Sequence, residues 1–335
     1  MREIGGEFWK QHDRVDMANK NNEAYLLSGR TALRFIIDDI QRNRIVRKVL
    51  MPAYCCESII LPFIQSGIEV QFYQVNFNGI QYPYDNDADI VLLIDFFGYI
   101  IDENTKIGQH EKQAGKIIIY DSTHKIDGNA DVEDCADYSF CSYRKWLYCN
   151  CAIAIKHNGV FDKTTVPRRN ENYTKLRDEA AYKKREYIEG LSSDKEVFLS
   201  KFNSAEKILE DDYIGYIGEP ITFDINEIVS KRRRNAKYLI SELNGISSIR
   251  RWRKDVRHND TPMFVPILLD SSIIIDLRNY LISREIYCPM HWPKSSYHNM
   301  SNELFNTELS LVCDQRYDLV DMKRIVCAIK EFFNR

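Results

Sequence analysis

The chain has 335 residues, 44% hydrophobic and 28% charged, with a formal net charge of −3. That length buries a substantial core and suits one large and one smaller domain of an ordinary soluble globular protein. The charge gives no footprint for nucleic acid, and no RNA- or DNA-binding motif stands out. No apolar run approaches a membrane span, and the segment from Met1 to Trp9 lacks the pattern of a signal peptide, so a cytoplasmic protein is expected. Nine cysteines are present, with Cys55 and Cys56 adjacent, Cys149 and Cys151 two apart, and the rest scattered. The count is odd and no CxxC pair occurs, so free thiols acting as small apolar residues are expected, with no metal site.

The first half alternates in period. Leu33, Ile36, Ile37 and Ile40 fall at helical spacing just after Ser28-Gly29-Arg30-Thr31. A strand over 48–54, a helix over 57–66 and a strand over 68–75 follow. The runs 89–97 and 116–120 are almost wholly apolar, as strands covered on both faces are. Two further strands are expected at 138–143 and 151–156. Such alternation predicts an α/β fold with a mostly parallel central sheet flanked by helices. The stretch 170–213 is charged and helical. The basic run 231–234 is expected to open an amphipathic helix through Leu239 and Leu243, as a solvated face or as a contributor to an anionic substrate site. A strand at 263–270 and helices at 271–284 and 317–333 make a smaller α+β domain. The expected division is 1–210 and 211–335.

Ligands of open α/β sheets bind beyond the carboxyl ends of the strands. Ser28-Gly29-Arg30-Thr31 leads into a helix whose N-terminus offers unpaired N–H groups to an anion, although alone it reads as a plain N-cap. Asp121 ends the run Lys-Ile-Ile-Ile-Tyr, His124 lies three residues on, and Ser142-Tyr-Arg-Lys145 ends the next strand. A strand-end carboxylate followed by a lysine one strand later suits pyridoxal 5′-phosphate (PLP) chemistry. That cofactor needs a carboxylate to keep its ring nitrogen protonated and a lysine to hold its aldehyde as a Schiff base.

Four segments carry a resemblance: Leu27-Ser-Gly-Arg-Thr-Ala-Leu33, Val49-Leu-Met-Pro-Ala-Tyr-Cys-Cys56, Asp121-Ser-Thr-His124 and Ser142-Tyr-Arg-Lys145-Trp-Leu. The chain resembles the DegT/DnrJ/StrS-like sugar aminotransferases, with the aspartate aminotransferase fold (PLP fold type I). Ile286 to Pro293 is similar to the family's substrate-contacting segment, and Leu309 to Arg316 to its closing element, with valine in place of the usual proline. The resemblance implies that Asp121 pairs with the ring nitrogen and that Lys145 forms the Schiff base and shuttles the proton. Ser28, Gly29, Arg30, Thr31 and Ser142 would hold the phosphate. His124 is placed either to pack against the cofactor ring or to hydrogen-bond its phenolic oxygen, and Tyr54 or Cys56 would be the stacking residue. His291, Trp292 and Lys294 would contact substrate.

The implied reaction moves an amino group from a donor, glutamate, to a nucleotide-linked keto-sugar for surface polysaccharide, in a homodimer with shared active sites. One departure stands out: Tyr148-Cys-Asn-Cys151 replaces the glycine pair that commonly follows the lysine. It keeps open a PLP-fold protein without turnover. A related sugar dehydratase would carry histidine where Lys145 stands.

Overall fold

The computed structural model describes residues 2–9, 21–162, 170–211 and 223–334. The large part begins with β1 (Ile4–Gly5), β2 (Glu23–Leu26), α1 (Gly29–Asn43), β3 (Lys48–Pro52) and α2 (Glu57–Gln65). It continues through β4 (Glu69–Asn76), β5 (Gly79–Gln81), β6 (Ile90–Ile94), α3 (Asp102–Gln113), β7 (Ile117–Asp121) and α4 (Ala130–Glu133). Strands β8 (Tyr138–Cys141) and β9 (Ala152–Lys156) complete an eight-stranded sheet of order β2-β9-β8-β7-β6-β3-β4-β5. Its centre, β8-β7-β6-β3-β4, is parallel, while β2, β9 and β5 join antiparallel at the edges. Every residue of β6 and β7 is buried, which is why their sequences read as unbroken apolar runs.

Helices α5 (Glu171–Ile188) and α6 (Glu196–Asp211) pack as a pair, and α7 (Ile225–Glu242) follows. The remainder contains β10 (Arg250–Arg251), β11 (Phe264–Leu268), α8 (Ser271–Ile282), β12 (Ile286–Tyr287), β13 (Glu308–Val312) and α9 (Leu319–Phe333). Strands β10, β11 and β13 form a small antiparallel sheet. The chain's first strand crosses to this side, pairing Ile4 with Ile286 and Gly5 with Tyr287. A division at 210/211 would fall beside residues 212–222, which lie outside those described.

The basic run 231–234 corrects an expectation. It lies in the middle of α7, whose start is capped by Asp224, and Arg232 is buried rather than solvated. Its guanidinium lies 4.2 Å from the Trp146 ring centre and donates to Gln315 Oε1 and Met263 O, both at 2.8 Å. The cation is therefore held by an aromatic face and two fixed acceptors, the arrangement that makes burial of a guanidinium tolerable. Arg233 likewise donates to Asp260 O at 2.6 Å.

The turn after β6 joins the two parts. Phe97 and Gly98 both take left-handed backbone angles, at φ 58° and 85°. A Cβ on Gly98 would stand 1.9 Å from Thr261 O and 2.7 Å from His124 O, so only glycine fits. Thr261 and Met263 then donate their N–H groups to Gly98 O and Phe97 O, at 2.7 and 2.8 Å.

Candidate active site at the carboxyl edge of the sheet

The parallel register puts Asp121 opposite Ile94 on one side and Phe140 on the other, so Asp121 and Ser142 share the carboxyl edge of the sheet. Two aspartates end strands here. Asp95 is saturated by Ile101 N–H, Asn104 Nδ2, Tyr120 OH and Asn129 Nδ2, at 2.8–3.1 Å. Asp121 is equally buried, but its partner is Thr123, whose N–H donates to Oδ1 at 2.8 Å. Burial pushes the Asp121 carboxyl up to about 6 against the pull of the Thr123 bonds, with no cation offsetting it.

Ser28, in extended backbone, caps α1 by accepting Thr31 N–H at 3.2 Å, and its hydroxyl lies 3.0 Å from that of Thr31. Gly29 begins the helix, and a Cβ there would meet Ser142 Cβ at 3.2 Å. The helix N-terminus and Ser142 thus lie side by side. Thr123 ties the second strand end in, its Oγ1 accepting Ser142 N–H at 3.2 Å. Arg30 sends its guanidinium to Leu209 O at 2.7 Å, so what this position presents beside Ser142 is main chain.

Lys145 ends a short turn after β8, exposed, and its ammonium has no hydrogen bond or ion pair among the described residues. Its neighbours are anchored. Arg144 bonds Glu206 (2.6 Å) and Tyr173 OH (2.8 Å). Burial works to raise Glu206, but Arg144 and then Lys145 and Arg177 hold it down at about 2. On the other side, Trp146 donates its indole N–H to Thr123 O at 2.7 Å and accepts from Gln315 Nε2 at its carbonyl. The segment 148–151 makes its turn without any left-handed residue, and Asn150 Nδ2 is held by Asp178 Oδ1 at 3.1 Å. The expected glycine pair is therefore not needed by this backbone.

His124 is buried, and burial with the nearby Lys145 charge pushes its pKa down to about 3. Its Nδ1 accepts Phe97 N–H at 3.0 Å, so the neutral ring carries its proton on Nε2. Trp292 stacks on it, with ring centres 5.3 Å apart and planes 21° apart, and His291 lies 6.1 Å away. Tyr54 is fully buried against Phe96, Phe97, Trp292 and Phe305, with its hydroxyl donating to His291 O. Cys56 sits half-buried at the N-cap of α2 and accepts from Ser58 Oγ at 3.0 Å. Lys294 is exposed and reaches only Asn299 O, at 3.5 Å, so it stands apart from the group.

These residues fit PLP. A buried carboxyl and an exposed lysine, each without a charged partner among the described residues, and a helix N-terminus kept open by glycine against Ser142 lie at one edge. Sequence reasoning did not find Thr123, which links Asp121, Ser142 and Trp146, or Arg232 and Gln315, which clamp Trp146. Thr123 lay within the quoted Asp121-Ser-Thr-His124, but nothing in that spacing marked its hydroxyl as a bridge.

No protein-family model and no curated protein matches the sequence. Solved structures do match. The aminotransferase TlmJ from Streptoalloteichus hindustanus superposes with TM-score 0.64 at 13% identity, over 94% of this chain and 86% of its own. Helicobacter pylori PseC, an aminotransferase involved in pseudoaminic acid biosynthesis, gives 0.65 at 12%, over 93% and 86%. NtdA from Bacillus subtilis, solved with bound cofactor PMP, gives 0.64 at 14%, over 93% and 73%. Similarity at this level of identity is similarity of fold, and the fold is the type I fold of PLP-dependent transferases.

Proposed function

We propose that this protein is a PLP-dependent aminotransferase that moves an amino group from a donor, glutamate, to a nucleotide-linked keto-sugar of surface polysaccharide synthesis. The observation that carries the reading is the convergence of Asp121, Ser142 and Lys145 on the carboxyl edge, with Asp121 buried and lacking a cation. Similar structures include an aminotransferase of pseudoaminic acid biosynthesis and a sugar aminotransferase, which supports the sugar acceptor. Bound PLP would supply an electron sink for bonds at the amino-bearing carbon.

The protein's own residues do the rest. Asp121 would hold the ring nitrogen protonated. Gly29, Ser28, Thr31, Ser142 and the Arg30 main chain bind the phosphate at the start of α1. His124 would offer its Nε2 proton to the cofactor's phenolic oxygen, with Trp292 stacked on its ring. Lys145 would hold the cofactor's aldehyde and move a proton. His291 and Trp292 face the substrate. Lys145 lies open to solvent in the single chain, and a homodimer that closes this side belongs to the proposal, as does a cytoplasmic location. Among the described residues no helix is long and apolar enough to cross a membrane.

The test is visible absorbance on adding PLP, followed by amino donors. A band that responds to glutamate, and that Lys145→Ala abolishes, supports the reading. A band indifferent to every donor removes the aminotransferase assignment, and no band at all removes the cofactor.

A further inference from the structure

A second polar group lies behind the substrate-facing wall. Glu308 on β13 is 1% exposed. Its Oε1 accepts the Ser310 hydroxyl, and its Oε2 accepts His291 N–H at 2.7 Å. Ser310 Oγ in turn lies 2.8 Å from His291 Nδ1. The side chains thus form an unbroken line, Glu308–Ser310–His291. His291 Nε2 has no protein partner among the described residues, the side chain keeps 16% exposure, and its ring lies 6.1 Å from that of His124.

The protonation of Glu308 sets what Nε2 is. An ionised carboxylate can only accept, so Ser310 spends its proton on Oε1 and must accept from His291 Nδ1–H. Nε2 is then a bare lone pair. With Glu308 neutral, each bond reverses and Nε2 carries the proton. The groups facing Glu308 do not compete for it. Tyr54 and Cys288 are both pushed up by burial, with Glu308 adding to each, and Arg278 of α8 acts on Cys288. Among the described residues no lysine or arginine pairs with Glu308. Burial lifts it to about 8, while burial together with His124 and Lys145 drives His291 well below its usual value. A neutral acid beside a neutral imidazole is therefore favoured over an imidazolium beside a carboxylate.

We propose that Glu308, acting through Ser310, is the proton store of His291, so that His291 Nε2 takes a proton from the bound substrate when Glu308 is ionised and presents one to it when Glu308 is neutral. In the transfer an N–H bond forms at Nε2, the Nδ1 proton passes to Ser310 Oγ, and the Ser310 proton passes to Glu308 Oε1. One proton enters and the carboxylate is neutralised, so no co-reactant is needed. Glu308 and Ser310 are positioning residues; His291 meets the substrate. The identity of the proton source rests on the function proposed above, whereas the wiring does not.

The experiment is a proton–nitrogen correlation spectrum of the cofactor-free, histidine-labelled full chain, with His291 assigned by its loss in His291→Asn. The expected result is a tautomer switch from Nδ1–H to Nε2–H as pH falls through about 8, with no imidazolium formed. Ser310→Ala and, where it folds, Glu308→Gln should abolish the switch. A fixed tautomer in the wild type, an imidazolium below pH about 8, or a switch that survives Ser310→Ala would overturn the proposal. A switch that is intact in a chain unable to bind PLP would sink the aminotransferase reading and leave this one standing.

Discussion

Replacing Asp121 by asparagine tests the electrostatics of the site without needing turnover. The carboxyl is raised from 3.8 to about 6 because burial disfavours its charged form, and Thr123 offsets only part of that cost. A raised acid destabilises the fold where it is ionised, so the penalty is absent below the unfolded value and complete above the folded one. Roughly two pH units at 1.36 kcal/mol each give about 3 kcal/mol, of which roughly 1 is expressed at pH about 4.5 and nearly all at pH about 8. Asparagine keeps an acceptor for Thr123 N–H and removes the charge. In cofactor-free protein the variant should therefore gain about 2 kcal/mol over wild type on moving from the lower pH to the higher. Urea unfolding at the two pH values measures this. With PLP added the order reverses, because an amide cannot stabilise a protonated ring nitrogen. Wild type should be stabilised at pH about 8 and the variant much less, by the linkage between ligand affinity and unfolding. An advantage for asparagine that is equal at both pH values would refute the picture of an uncompensated buried carboxylate.

Three other substitutions probe the frame. Gly29→Ala brings a Cβ to 3.2 Å from Ser142 Cβ and should weaken PLP binding about tenfold (about 1.4 kcal/mol), read by absorbance titration, with little change in the unfolding midpoint. Gly98→Ala forces a Cβ to 1.9 Å from Thr261 O at φ 85° and should cost more than about 4 kcal/mol, read as loss of soluble folded protein. Arg232→Met keeps an unbranched apolar stem but removes the cation from the Trp146 face and from both its acceptors. It should cost about 3 kcal/mol in unfolding experiments and shift the tryptophan emission.

What was legible in the sequence is what is local. The apolar runs of β6 and β7 have few other uses, and the order of Gly29, Asp121 and Lys145 survives folding because parallel strands bring their carboxyl ends to one edge. What was not legible depends on distant pairs. Arg232 sits in a run that reads as a solvated face, and nothing near it in sequence says that Trp146 and Gln315 will enclose it. Tyr54 and Cys56 were both candidates for the ring stack, with Cys56 the poorer platform for want of a π-face, because two residues of offset in a turn carry no periodicity. The structure buries Tyr54 among aromatic rings and leaves Cys56 at a helix cap. Glu308 lies one residue outside the quoted closing element. Its burial follows from pairing with Leu268, and no local pattern encodes that.

The lysine is the residue whose surroundings argue most for chemistry. Arg144 before it is fixed by Glu206 and Tyr173, and Trp146 after it is fixed by Thr123, Gln315 and Arg232. Elements from both parts of the chain thus immobilise the turn on either side of a side chain that bonds to nothing among the described residues. A lysine placed for stability would be expected to use its ammonium, since a free surface lysine gains nothing from such a frame. A lysine that must bond a carbonyl carbon needs a rigid base and an uncommitted tip, because each existing hydrogen bond would have to break before it reacts. The same logic separates Asp121 from Asp95. Both are buried at strand ends, but one is saturated by four donors and holds a turn, while the other is bonded by Thr123 and has no cation beside it among the described residues. At this edge of the sheet, Asp121 and Lys145 are the groups left without a charged partner among the described residues, which is what the proposed function requires of them, and the saturated residues around them hold both in place.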